Sequence, residues 1–307
     1  MSLLEVEDLG RTFGSAHAVR EASFSLQRGE IVALVGESGS GKSTTARMVA
    51  RLLAPTTGRV LLEGSATVPE LEYRSKVQMV FQDPFGSLNP ARTIGHHLTR
   101  PLLLHGRATR KQAPEAVAAL LQTVGLDPSL AVRHPHELSG GQRQRVAIAR
   151  AFAVEPLLVV ADEPVSMLDV SIRIGVLNLM ERLRDERETA FLYITHDVAS
   201  ARYLGGRMLV MYGGHIVEGG PARVLTGEPA HPYTRLLLAA VPNPRRGSSA
   251  TVSSAVTRPT GPRPAAGCPF TARCPLVTDE CRTTMPPVTR VADDHWARCH
   301  ALGKENQ

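Results

Sequence analysis

With 43% apolar and 21% charged residues, the 307-residue chain has the balance of an ordinary globular protein. Only 4% of its residues are aromatic, so its core must rest on Leu, Val, Ile and Ala. The net charge of +6 is spread thinly and no basic run is studded with aromatics, which argues against nucleic acid as a partner. No apolar run approaches the roughly 18 residues that cross a bilayer, and the MSLLEVEDLGR start carries acids where a secretory leader carries bases. The expectation is a cytosolic chain, at a membrane only if another subunit holds it there.

In chain order, Ile31–Val35 is a short apolar run that predicts a buried strand, and a helical pattern begins near Lys42. Between them, Gly36-Glu37-Ser38-Gly39-Ser40-Gly41-Lys42-Ser43 fits G-x-x-x-x-G-K-[ST] in its required strand–loop–helix setting. Glycines let the backbone N–H groups turn inward as an anion nest, and the helix adds its positive end. Lys42 can reach the β and γ phosphates, and the Ser43 hydroxyl can ligate Mg²⁺. Lysine is scarce in this chain (Lys42, Lys76, Lys111 and Lys304), which makes Lys42 stand out.

Helical patterns follow over Pro114–Val124, Gln142–Ala153 and Ile172–Glu188. At Leu138-Ser139-Gly140-Gly141-Gln142, a hydroxyl cap and two glycines open a second helix suited to an anion. One triphosphate has no need of two nests, so this end is expected to serve the nucleotide of another subunit. The apolar run Leu157–Ala161 delivers Asp162 and Glu163, suited to holding Mg²⁺ through water and to polarising the attacking water. The run Phe191–Thr195 ends at His196, a candidate γ-phosphate contact and water positioner. Apolar runs alternating with helices predict an α/β fold with a mainly parallel sheet, whose ligands gather beyond the strands' carboxyl ends.

Residues 243–267, rich in Pro, Ser, Thr, Gly and Arg, predict a flexible linker. Beyond it lie all four cysteines, Cys268, Cys274, Cys281 and Cys299, spaced C-x5-C-x6-C-x17-C without the tight pair usual for structural zinc. Iron–sulfur, zinc and free or disulfide thiols all stay open on spacing alone.

Leu138 to Arg145 and the order of the other motifs resemble the ATP-binding subunits of ABC transporters over residues 1 to about 235. The resemblance implies a P-loop NTPase with an antiparallel β subdomain and a helical signature subdomain at about 83–155. Its implied nucleotide contacts are Phe13 (on adenine), Gly36, Ser38, Gly39, Ser40, Gly41, Lys42, Ser43, Thr44, Ser139, Gly140, Gly141, Gln142 and Asp169, the last crossing the dimer interface. It implies Glu163, His196, Gln82 and Lys42 as catalytic residues, with Ser43, Gln82 and Asp162 on Mg²⁺. Val165 and Met167 depart from the small or polar residues expected before Asp169.

Gln82-Asp83-Pro84-Phe85-Gly86-Ser87-Leu88-Asn89-Pro90, Glu228 to Leu237 with its His-Pro-Tyr, and the cysteine segment resemble the oligopeptide, dipeptide and nickel uptake branch. That branch implies a carboxyl-terminal extension over 226–307 and favours a [4Fe–4S] cluster on the four cysteines, expected to lie away from the hydrolysis chemistry. It further implies a peripheral subunit on the cytoplasmic face of the inner membrane, a second ABC ATPase in a head-to-tail pair, two permease subunits and an external solute-binding protein. The alternatives are an importer of nickel or sugars, or a soluble ABC ATPase acting on nucleic acid or ribosomes.

Overall fold

The computed structural model describes residues 2–240 and 266–303, so most of the expected linker lies outside the described residues. Among the described residues its frame is an eight-stranded sheet, in the order Thr289–Ala292, His295–Ala297, His215–Pro221, Arg207–Tyr212, Ile31–Val35, Ala190–Thr195, Leu158–Asp162 and Val77–Val80, beside a three-stranded sheet in the order Ala16–Leu26, Leu4–Phe13 and Thr57–Leu62. The small sheet comprises β1 (Leu4–Phe13), β2 (Ala16–Leu26) and β4 (Thr57–Leu62), all antiparallel and bulged.

In the large sheet, β3 (Ile31–Val35), β5 (Val77–Val80), β6 (Leu158–Asp162), β7 (Ala190–Thr195) and β8 (Arg207–Tyr212) run parallel. Every residue of β3, β6 and β7 is buried, as continuous apolar runs require when both faces of a parallel sheet are covered. Successive side chains point to opposite faces, so β3 feeds two cores. Ile31, Ala33 and Val35 pack with the helical subdomain, while Val32 and Leu34 pack with helix Lys42–Val49 and the small sheet.

The predicted elements form with shifts of one or two residues. Helices Ala113–Thr123, Gly140–Phe152 and Val170–Arg187 replace the expected 114–124, 142–153 and 172–188, and Asp162 is itself the last residue of β6. Between Gln82 and Ser139 the chain builds only a short turn of helix, two 11-residue helices and two 3₁₀ turns.

The carboxyl-terminal segment joins the main sheet. After β9 (His215–Pro221), the strands β10 (Thr289–Ala292) and β11 (His295–Ala297) extend it antiparallel, with Trp296 opposite Gly219. A side chain at Gly219 would meet the Trp296 indole at 2.7 Å, so only glycine lets this strand dock. The Glu218 carboxylate, fully buried, accepts from the Ala230 and His231 N–H groups and pairs with His295 Nε2 at 2.7 Å. A buried charge survives only when its partners are this complete.

Candidate active site

The carboxyl ends of β3, β5, β6 and β7 open on one cleft of about 580 Å³. Gly36 (φ 154°) leaves β3 with its Cα against the Met211 carbonyl, 2.2 Å from where a Cβ would stand. Gly41 (φ 112°) would meet the Ala18 carbonyl at 2.5 Å. The loop's path therefore excludes side chains at both positions.

Lys42 is buried, and its Nζ donates to the carbonyls of Gly36 and Glu37 at 2.7 and 2.8 Å. Burial lowers its pKa, while the charges of Glu163, Asp162 and Glu37 oppose that fall. Ser43 Oγ donates to Asp162 Oδ1 at 3.0 Å, tying the loop to β6. Burial raises the Asp162 pKa, opposed by that hydrogen bond. A hydroxyl beside a carboxylate is an oxygen donor set that suits Mg²⁺.

Glu163 sits one residue beyond β6 at φ 47°, a left-handed conformation that glutamate rarely adopts. Its N–H donates to the Ile194 carbonyl at 2.9 Å, which fixes this turn across to β7. One carboxylate oxygen accepts from Gln82 Nε2 and the other faces His196 Nδ1, each at 3.1 Å. Three residues from three strand ends, 81 and 33 positions apart in sequence from Glu163, thus meet over the phosphate loop. Ser38, Gly39 and Thr44 line the same cleft, as does Leu237 of helix Pro232–Ala239. Ser40 is buried, and its carbonyl accepts from the Gly214 N–H at 2.9 Å.

Ser139, Gly140, Gly141 and Gln142 do not line this cleft. They open helix Gly140–Phe152 at an exposed end, where Ser139 and Gln142 form a reciprocal capping box. A Cβ on Gly141 would meet Ile172 Cγ2 at 2.5 Å, so the second glycine is needed to pack this helix against Val170–Arg187. Asp169 is exposed just before that helix, between Met167 (62% exposed) and Val170 (71% exposed). Val165 is buried instead. Phe13 stands apart from the cleft lining, exposed, with the Arg11 guanidinium 4.7 Å above its ring.

The cysteine segment was expected away from this chemistry, and the structure corrects that placement. Arg273, between Cys268 and Cys274, forms a two-pronged ion pair with Glu37 of the phosphate loop at 2.9 and 3.0 Å. The Glu37 N–H donates to Tyr233 Oη at 2.8 Å. Sequence reasoning missed Arg273 and saw Tyr233 only as part of a helix opening, since nothing local marks a contact 236 residues away. The four thiols are free, and Cys268 feels the charges of the other three. Burial pushes the Cys268 thiol up to about 11. Among the described residues no group of three or more His, Cys, Asp or Glu side chains is placed to hold a metal ion.

Comparison with known proteins gives the family. The "ABC transporter" family model matches residues 19–166, and the "Oligopeptide/dipeptide transporter, C-terminal region" model matches 217–281. The probable peptide ABC transporter ATP-binding protein y4tS of Sinorhizobium fredii is 46% identical, over 92% of this chain and 82% of its own. The chain belongs to the ABC transporter ATP-binding proteins. The oligopeptide transport ATP-binding protein AppF of Bacillus subtilis is 43% identical over 94% of this chain and 91% of its own.

Among solved structures, cbiO1 of Clostridium perfringens aligns with a TM-score of 0.67 at 25% identity, over 74% of this chain and 91% of its own. The cassette MJ0796, described as dimeric and bound to ADP and Pi, aligns with a TM-score of 0.64 at 28% identity, over 72% of this chain and 99% of its own. As a member of this family the chain is an ATPase coupled to transport, for which ATP and Mg²⁺ are the expected ligands. No helix among the described residues is long and apolar enough to cross a membrane.

Proposed function

We propose that this chain is the ATP-hydrolysing motor of a peptide importer, working as a head-to-tail pair with a second ABC ATPase on two permease subunits. One observation carries the reading. The cleft gathers the lysine, the hydroxyl–carboxylate pair and the Gln82–Glu163–His196 group, while the Ser139 helix end lies outside it. Each subunit then supplies half of a site, and both halves are intact here, so two copies suffice to build two complete sites.

In such a site the loop amides and Lys42 bind the β and γ phosphates. Mg²⁺, held by Ser43, Asp162 and Gln82, would neutralise charge on the phosphate oxygens. Glu163 orients the attacking water and accepts its proton as the γ phosphoryl leaves ADP. His196 and Gln82 hold the Glu163 carboxylate from either side, so its position does not depend on solvent. The Ser139–Gln142 end of the partner closes over the γ phosphate, and its loss on hydrolysis loosens the pair. Phe13 is exposed as an adenine platform must be, and Asp169 with Met167 stands on the exposed loop that would face the partner.

The peptide assignment is supported by the names of the relatives and by the matching extension model. The chain divides into a nucleotide-binding domain over 1–235, its helical part near 83–155, and an extension over 226–307. It would work at the cytoplasmic face of the inner membrane, fed by an external solute-binding protein. The short helices between Gln82 and Ser139 leave no coiled coil of the kind a DNA-acting relative would insert. The [4Fe–4S] reading of the four cysteines rests on the resemblance of their segment to the uptake branch. Iron and sulfide in an anaerobic preparation would establish it, and their absence would end it.

The deciding test of function is reconstitution with both permeases in proteoliposomes. Peptide-loaded binding protein should raise ATP turnover several-fold, with nickel- or sugar-loaded binding proteins inert. Stimulation by nickel or sugar instead would overturn the peptide assignment.

A further inference from the structure

The phosphate loop is gripped at its second residue by two side chains from the carboxyl-terminal extension. Arg273 is only 8% exposed, and both its terminal nitrogens face the Glu37 carboxylate. Its guanidinium lies 5.9 Å from the Tyr212 ring and 5.7 Å from the Phe270 ring. Tyr233, fully buried, holds the Glu37 N–H and packs on those same rings at 4.5 and 5.5 Å. The Glu37 charge reaches the Lys42 ammonium, and so the space where a triphosphate must sit. A carboxylate there repels the incoming anion unless a cation offsets it. An arginine held by aromatic rings does so without reorganising, because its planar fork matches the carboxylate.

We propose that Arg273 and Tyr233 are positioning residues for ATP binding, through which the extension neutralises Glu37 and fixes the entry to the phosphate loop. The extension is then a working part of the nucleotide site rather than an appendage. This rests on the phosphate-loop reading of Gly36 to Ser43.

The test uses the full-length chain, with affinity for a nonhydrolysable ATP analogue plus Mg²⁺ and the KM and kcat for ATP as readouts. Arg273→Ala should weaken analogue binding and raise KM about 10-fold, with kcat within about twofold, because the chemistry at Glu163 is untouched. Glu37→Gln, at a half-exposed side chain that tolerates change, should tighten binding about threefold by leaving the guanidinium uncompensated. The double variant should return to within about twofold of the parent, and Tyr233→Phe should cost about threefold in KM.

A deficit in Arg273→Ala that persists undiminished in the double variant would mean the arginine only props the fold. If Arg273→Ala fails to fold, Glu37→Gln alone decides: unchanged or weaker binding overturns the proposal. Lys42→Ala, measured alongside, should lose the analogue by more than about 100-fold. If it binds like the parent, the phosphate-loop reading itself fails. If it loses binding while Arg273→Ala does not, only the role of the extension fails.

Discussion

Two helix ends in this molecule, Lys42–Val49 and Gly140–Phe152, share a recipe of glycines and a hydroxyl, yet they differ in what surrounds them. The first begins at the bottom of a cleft, its lysine buried and faced by carboxylates from the end of β6. The second begins at an exposed serine that satisfies its own helix amides through Gln142. A helix terminus becomes a triphosphate site only where several strands end together. The exposed terminus lies outside the cleft that Lys42 and Glu163 line, and on the proposed reading it serves a phosphate held by another subunit. On the proposed reading, the same contrast separates binding, open to a lone subunit, from hydrolysis, which needs a pair.

The largest expected effect tests the enclosed end. Glu163→Gln keeps both hydrogen-bonding neighbours and removes the base, so turnover should fall about 10²- to 10³-fold with ATP still bound. Steady-state phosphate release checks it, and unchanged turnover would remove Glu163 from its assigned role. A smaller effect is expected at the exposed end. Ser139→Arg loses the cap, worth about 1 kcal/mol of stability, and places a bulky cation where the partner's phosphate should dock. Turnover should drop about 30-fold while ATP binding by the lone chain stays within about twofold. Equal loss of binding and turnover would mean that both ends serve one nucleotide within one chain.

A third helix end gives the smallest effect and sharpens the comparison by titrating. Helix Pro232–Ala239 is capped by His231, whose Nδ1 accepts from the Tyr233 N–H at 3.0 Å. Burial pushes the His231 pKa down to about 4, and burial with Arg20 and Arg298 does the same to His215. Between pH 6.5 and about 4 the unfolded chain binds protons that the folded chain refuses, so stability falls as pH drops through that window. Each histidine contributes up to about 3 kcal/mol of this loss. His231→Asn retains a good cap and cannot titrate, so urea midpoints at pH 7.5 and pH 5 should differ by less than in the parent. An undiminished difference would place the acid sensitivity elsewhere.

The strands that carry the chemistry were legible because they are buried on both faces. IVALV and its counterparts before Glu163 and His196 are continuous apolar runs, and each ends in a residue with an evident task. The small sheet was foreseen only through the family resemblance. Its strands alternate irregularly through repeated bulges, which blur the period-two signal. The strands β10 and β11 were missed for a different reason. They are short and β10 is largely exposed, and their docking depends on Gly219 leaving room for Trp296, a fit that no local pattern encodes. The grip of Arg273 and Tyr233 on Glu37 was hidden likewise, since its partners lie 236 and 196 residues apart. Glu163 was read from its strand, but its left-handed backbone appears only in three dimensions.

Mixing two disabled variants measures the pairing of half-sites most directly. Lys42→Ala spoils the cleft and Ser139→Arg spoils the exposed helix end, and each alone should be nearly inactive. If ATP sits between subunits, a mixed pair holds one site with both lesions and one with neither, so combining the purified chains should restore turnover to roughly a quarter of the parent's for random pairing. A mixture no more active than its components would contradict the account, because it would put both motifs on the same nucleotide in the same chain.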